Sequence, residues 1–449
     1  MASAAEQFAS NLNFGAFARA KELQKRILFT LFVLIIYRVG TYIPMPGVDP
    51  AQFAAVFQQQ QGGILGMFNV FSGGAVERMA IFALNVMPYI SASIIMQLMA
   101  ATVPSLERLK KEGGEQGRKQ INQYSRYLTV VLAALQAFAI AVGMESPDPT
   151  TGATMAIDPG WFFRITTVVT LVGGTMMLLW LGEQITARGV GNGVSLIIFA
   201  GIIAEMPRAL FQALEQGATG ALPGGVILVM IALILVVLVF VVFMERSQRR
   251  LLVQYPKRQV GNRMMGGESS FLPLKLNTAG VIPAIFASSL LLLPATLAGF
   301  SQDGPEWLMA LTAMLGHGQP LFILFYGGMI VFFTFFYVSI VFNPEDTADN
   351  LKKYGGFLPG IRPGKRTAEY IDYVLSRLTV IGAAYLAAVC VLPEVLRAQY
   401  PMIPFYIGGT ALLIVVSVTL DTVSQIQSHL LAHQYEGLIK KTKLRGRKR

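Results

Sequence analysis

Apolar and polar residues alternate in long blocks along this chain. Ten apolar stretches stand out, at 27–43, 79–103, 127–144, 165–181, 194–206, 225–244, 281–298, 321–342, 378–392 and 407–420. About 20 mainly apolar residues carry a helix across the hydrocarbon of a bilayer. The pattern therefore predicts ten membrane-crossing helices. The fifth, ninth and tenth stretches are short, and uncharged polar residues at 422–427 extend the tenth. Residues 62–74 are apolar but too short to span. Five of these thirteen residues are glycine, and each costs a helix about 1 kcal/mol against alanine. The residues alone favour a segment resting on the headgroups over a short helix folded back into a cavity.

Composition agrees with the blocks. Only 14% of the 449 residues are charged and 54% are hydrophobic, against roughly 25% charged in soluble domains. The net charge is +11, and it is sorted. With the N-terminus in the cytoplasm, 31 of the 36 Lys and Arg fall on every second connection, as they do in cytoplasmic loops. Only Arg38, Arg78, Arg164, Arg208 and Arg397 remain outside. Losing or gaining one span would scramble this sorting, so a multi-pass membrane protein with both termini cytoplasmic is expected. A break at the outside connection 209–223 leaves five spans in each half. An odd number makes the second half topologically inverted, with a pathway expected at the interface of the halves. The lone cysteine, Cys390, cannot form an internal disulfide, and the first 20 residues lack the pattern of a cleaved signal peptide.

Two connections look structured. In 245–277, residues 249–255 read as an emerging strand and 264–268 as a turn. In 343–373, Asn343 caps a helix with Pro344 in its first turn. The helix stops at Gly355-Gly356, and a tight tip follows at 359–366. Together these loops hold 13 of the 31 inside charges, more than orientation requires. They read as a platform for a large acidic partner. The plainer reading of each is topology and contact with anionic lipid.

No span carries an ionisable residue near its centre, which counts against an ion-coupled transporter. No P-loop, metalloprotease motif or nucleophile–base pair is present, which counts against an intramembrane enzyme. His429, His433 and Glu436 share a helical face, but beside a basic tail they read as a solvated surface. No metal or cofactor is expected, and no enzymatic activity.

Several ordered motifs strongly resemble the SecY family, in its bacterial form. They are NVFSGGA at 69–75, MPYISASII at 87–95, WLGEQIT at 180–186 and GNGVS at 191–195. AGVIPAIFASS at 279–289, NPEDTADNLKK at 343–353, PGIRPG at 359–364 and FYIGGTALLI at 405–414 follow. The resemblance implies an all-α polytopic membrane protein, with ten helices in two inverted five-helix halves around an hourglass pore. Its divisions would be a cytoplasmic segment 1–22, halves at 23–214 and 215–427, and a basic tail at 428–449. The resemblance also implies the large subunit of a protein-conducting channel for unfolded polypeptides, with lateral release of apolar segments.

The site residues are what that resemblance implies. An aliphatic pore ring falls on Val86, Ile90, Val194, Ile198, Ile285 and Ile414, where two family isoleucines are valines. A plug falls at 62–76, with Ile64, Leu65, Met67, Phe68, Asn69, Phe71, Ser72 and Gly73. A lateral gate lies between helices two and seven, with helices three and eight beside them. It holds Ser91, Gln97, Gln136, Ser288 and Ser289, whose plainer reading is interhelical hydrogen-bond glue. Partner docking falls on Arg250, Lys257, Arg258, Arg263, Arg362, Lys365 and Arg366. The implied partners are the small subunits SecE and SecG, the motor ATPase SecA, the ribosome, the signal sequence and translocating polypeptide, anionic lipids and a second copy as a homodimer. A narrow aliphatic ring dewets, so it can block ions without gripping a passing chain.

Overall fold

Every one of the ten apolar stretches contains a helix. The computed structural model describes residues 20–60, 64–145, 154–219, 224–255, 258–260, 263–265, 269–299, 319–399 and 409–446. The helices in these stretches are α1 (Lys21–Gly40), α4 (Met87–Thr102), α6 (Gly114–Glu145), α7 (Trp161–Arg188), α8 (Gly193–Ala218), α9 (Gly224–Arg246), α10 (Ile282–Gly299), α11 (Pro320–Val341), α13 (Lys365–Gln399) and α14 (Gly409–Gly446). Four shorter helices complete the described set: α2 (Pro50–Gln60), α3 (Ile64–Ser72), α5 (Pro104–Glu112) and α12 (Pro344–Lys353). Among the described residues, seven helices are long and apolar enough to cross a membrane, or eight if the bent pair α4 and α5 counts as one span. Helix α1 is 20 residues long but carries Lys25, Arg26 and Arg38 near its ends. Helix α10 is not among the seven; its apolar stretch, Ile282–Leu291, is a shorter one.

Three expected boundaries change. The second stretch is not helical from 79. Residues 79–86 form turns, with φ of 41° at Met79 and 49° at Asn85, so the helix starts only at Met87. Left-handed backbone is uncommon outside glycine. Here it is held by long-range bonds: the Met45 N–H donates to the Met79 carbonyl at 2.9 Å, and the Ile81 N–H to the Ile43 carbonyl at 3.1 Å. At its far end α4 gives way to α5 at Pro104, with a bend of 99°. The fifth helix runs on to Ala218, through Pro207. Much of the expected connection at 209–223 is therefore helix, and the expected boundary at 214/215 falls inside it. Met264 and Met265 lie in a strand rather than a turn.

Packing divides the helices into two groups. In the first, α4, α6 and α7 pack on one another, α8 packs on α7, and α1 packs on α7 and α8. In the second, α10, α11 and α13 pack together, while α14 joins α13 to α9. The groups meet along two seams. On one, α10 lies against α4 and α6; on the other, α14 lies against α8 and α1, and α9 against α8. Helix α9 exposes Leu228, Val229, Leu235, Val236, Val239 and Phe243. That is the pattern of a helix whose surroundings are hydrocarbon rather than water.

The connection after α9 is a β-hairpin arrangement: β1 (Gln248–Gln254) pairs antiparallel with β4 (Ser269–Lys275), and β2 (Arg258–Val260) with β3 (Arg263–Met265). Leu251, Val253 and Leu274 point inward onto Leu358, Ile371, Val374 and Leu378, forming a second, separate apolar core.

Candidate functional site

Val86 caps α4 and Ile90 follows one turn later. The Ile90 N–H bonds the Val86 carbonyl at 3.1 Å, so both side chains lie on one face. Val194 and Ile198 have the same spacing on α8. The start of α8 closes tightly onto α7, because a Cβ on Gly193 would collide with the Gly182 carbonyl. Ile285 sits on α10 and Ile414 on α14. Val86, Ile90, Ile198 and Ile414 are buried, and Val194 and Ile285 partly so. All six belong to one continuous apolar cluster that draws on both helix groups.

The glycine-rich segment does not rest at a surface. Gly62 and Gly63 lie outside the described residues, as do the side chains of Ile64, Leu65, Met67 and Phe68. Helix α3 packs against α8 of one group and α10 of the other, with Asn69, Phe71 and Ser72 buried. The folded-in arrangement therefore replaces the headgroup segment. The helix ends in a Schellman turn. The Gly74 N–H bonds the Asn69 carbonyl at 2.9 Å and the Gly73 N–H the Val70 carbonyl at 3.3 Å. Both glycines have left-handed φ, 67° and 80°, which is where glycine has no steric penalty.

Among the described residues, no hydrogen bond joins the five polar side chains of the expected gate across the α4–α10 seam. Gln97 bonds Ser93 of its own helix at 3.3 Å. Ser288 donates to the Ala284 carbonyl one turn earlier at 2.9 Å and lies 3.3 Å from the Tyr326 hydroxyl of α11. Gln136 Oε1 and Ser289 Oγ are buried with no hydrogen-bond partner among the described residues. Ser91 is buried. Leaving a buried polar atom unsatisfied costs about 1–3 kcal/mol.

The two charged connections form one body. The Gln254 N–H donates to the Phe357 carbonyl and the Phe357 N–H to the Gln254 carbonyl, both at 2.9 Å. The expected cap is present: the Asn343 side chain accepts from the Glu345 N–H at 3.1 Å. The helix then stops at Gly355, whose φ is 75°. In the tip beyond, Gly360 and Gly364 have φ of 79° and 104°. Thr367 Oγ1 pins the Arg362 carbonyl at 3.0 Å. Arg250, Arg362, Lys365 and Arg366 are exposed. Lys257 lies outside the described residues, as do the side chains of Arg258 and Arg263.

The SecY family model matches residues 80–423. The protein translocase subunit SecY of Rickettsia bellii (strain RML369-C) is 55% identical over 436 residues, covering 97% of this chain and 100% of that one. Its counterpart from Escherichia coli (strain K12) is 52% identical over 427 residues, covering 95% of this chain and 96% of that one. This chain belongs to the SecY family. Among solved structures, a SecY channel whose plug domain stabilises the closed state aligns with a TM-score of 0.67, at 18% identity over 91% of this chain and 92% of that one. Sec61 in a canine ribosome–channel complex aligns with a TM-score of 0.61, again at 18% identity and over 91% of this chain and 92% of that one. These likenesses show the fold: the helices here are arranged as in SecY and Sec61 channels.

Sequence reasoning missed one group of residues within this SecY fold. Tyr37, Arg38, Arg78, Asn85 and Gly201 all converge on the end of α3. The available signal was the handful of arginines left over by the charge sorting.

Proposed function

We propose that this chain is the channel-forming subunit of a protein translocase. It would pass unfolded polypeptides across the plasma membrane and release apolar segments sideways between α4 and α10. The observation that carries this reading is the placement of one buried aliphatic set on α4, α8, α10 and α14, with a weak, glycine-flanked helix packed between α8 and α10. Val86, Ile90, Val194, Ile198, Ile285 and Ile414 would form the constriction, and α3 with its flanks (62–76) the plug. The two valines widen the constriction slightly relative to isoleucine. The two halves would hinge between α8 and α9, and the unsatisfied gate residues keep the opposite seam easy to part.

The fused platform of β1, β4, α12 and the 359–366 tip would face the cytoplasm, with both termini on that side. It offers exposed Arg250, Arg362, Lys365 and Arg366 to a ribosome or to the motor SecA. Chain energy comes from these partners. SecE and SecG would cover exposed helix faces, anionic lipid the basic rim, and a second copy would make a homodimer.

Disulfide trapping tests the pore assignment. Cys390 is replaced by serine and Ile90 by cysteine, and a preprotein bearing one cysteine is stalled during transport. An adduct at Ile90→Cys is expected. Intact transport with no adduct there or at any other ring position would sink the assignment.

A further inference from the structure

The Schellman turn at the end of α3 leaves three carbonyls unsatisfied, those of Phe71, Ser72 and Gly73. Each is met by a side chain from outside the helix. Asn85 Nδ2 donates to the Phe71 carbonyl. The Tyr37 hydroxyl donates to the Ser72 carbonyl at 3.1 Å. Two guanidinium groups meet on the Gly73 carbonyl: Arg38 through Nη1, and Arg78 through Nη2 at 3.0 Å. Both arginines are braced. Arg78 Nε donates to the Thr41 carbonyl at 3.2 Å, and both guanidinium groups lie over the Tyr42 ring, at 5.2 Å for Arg38 and 4.1 Å for Arg78. The seat beneath is bare backbone. A Cβ on Gly201 of α8 would stand 2.6 Å from the Phe71 carbonyl oxygen.

From this arrangement we infer that Tyr37, Arg38, Arg78 and Asn85 are a releasable clasp that sets how much of the time the plug is closed. The inference deepens the plug reading above and rests on it. The clasp grips main-chain carbonyls at the negative end of a helix dipole, where cations are favoured. It therefore holds the segment at its C-terminal end and leaves its apolar body free to be pushed aside. On release, the three carbonyls pass to water and lose little, so the bonds are strong enough to bias the closed state without locking it. Positive charge on the side of the membrane where topology disfavours it thus acquires a local purpose.

The test uses the full chain with its co-purifying small subunits, in vesicles. Cys390 is replaced by serine and Ser72, which is fully buried, by cysteine. The rate at which a membrane-impermeant maleimide modifies that cysteine reads the open population. Ion leak from the vesicles reads the seal, with a variant lacking residues 64–72 as the leaky reference. Arg38→Gln with Arg78→Gln should raise the modification rate about tenfold or more, and Tyr37→Phe a few-fold. Arg78→Lys, which keeps the charge but not the fork, should fall between. Tyr37→Phe preserves ring and shape, so it still reports if the arginine variants fail to assemble. Unchanged modification rates in both Tyr37→Phe and the double variant would overturn the clasp. If the double variant exposes the cysteine but neither it nor the deletion leaks, the clasp stands and the reading of α3 as a seal fails.

Discussion

At the plug end of the bundle, Arg38 and Arg78 close on a backbone carbonyl, while Arg164 and Arg208 close on carboxylates. At the hairpin end, Arg249, Arg250, Arg362, Lys365 and Arg366 stand exposed. Helix α9 separates the two ends by 23 residues, about 34 Å at 1.5 Å per residue. The ion pairs at the plug end are short, and each engages two guanidinium nitrogens. Arg208 reaches both Glu77 oxygens at 2.6 and 2.7 Å, and Arg164 holds Glu145 Oε2 through two nitrogens at 2.8 and 2.6 Å. Such forks fix geometry. Exposed charges add little to stability, typically under about 1 kcal/mol. Their effect is a field that reaches a partner before contact. The arginines named at the first end are local clamps, whereas those named at the second, on the proposed docking surface, are placed to attract a partner at long range.

The sharpest way to break that contrast is charge reversal at the hairpin end. Arg362→Glu should leave expression and folding intact and abolish transport in reconstituted vesicles. Placing like charges against a partner costs several kcal/mol, on the order of a hundredfold or more in affinity. Normal transport by that variant would remove the tip from the docking surface. Next in size is Gly201→Leu at the plug end. It pushes a side chain into the Phe71 carbonyl and should raise the reactivity of a cysteine at 72, with overpacking of about 1–3 kcal/mol acting on the closed state.

Phe357→Pro removes one of the two backbone bonds between the loops. It should loosen the platform, seen as faster amide exchange in β1, while leaving the plug readouts unchanged. The smallest effect belongs to Asn343→Ala. It should cost about 1 kcal/mol of local helix stability and raise exchange in α12 alone. A change in ion leak from either hairpin-end variant would show that the two ends are coupled.

The ten helices were legible because a bilayer imposes a length, and apolar length is written directly in the residues. The cap at Asn343 and the stop at Gly355 were legible because both are local. The start of α4 at Met87 was not. An apolar run from 79 carries no mark of the bonds from Met45 and to Ile43 that bend it, and those partners lie far along the chain. The length of α8 was also hidden, since its last turns are too polar to read as a span yet suit a helix. Nor could residue type reveal that Gln136 and Ser289 end without partners, because a polar side chain in an apolar run serves glue and gap equally.

By itself, the sequence determined a helical membrane protein of the SecY type, with ten apolar stretches, a sorted charge surplus and a segment too glycine-rich to be a firm helix. Those properties depend on composition, length and order. Only the tertiary structure decided that the two basic loops are one platform, joined where Gln254 meets Phe357. It alone placed the weak helix between α8 and α10 and aimed Tyr37, Arg38, Arg78 and Asn85 at its last carbonyls. The physical reason is the same in each case: the acceptors are backbone groups, which every residue carries alike, so only their positions in space distinguish them.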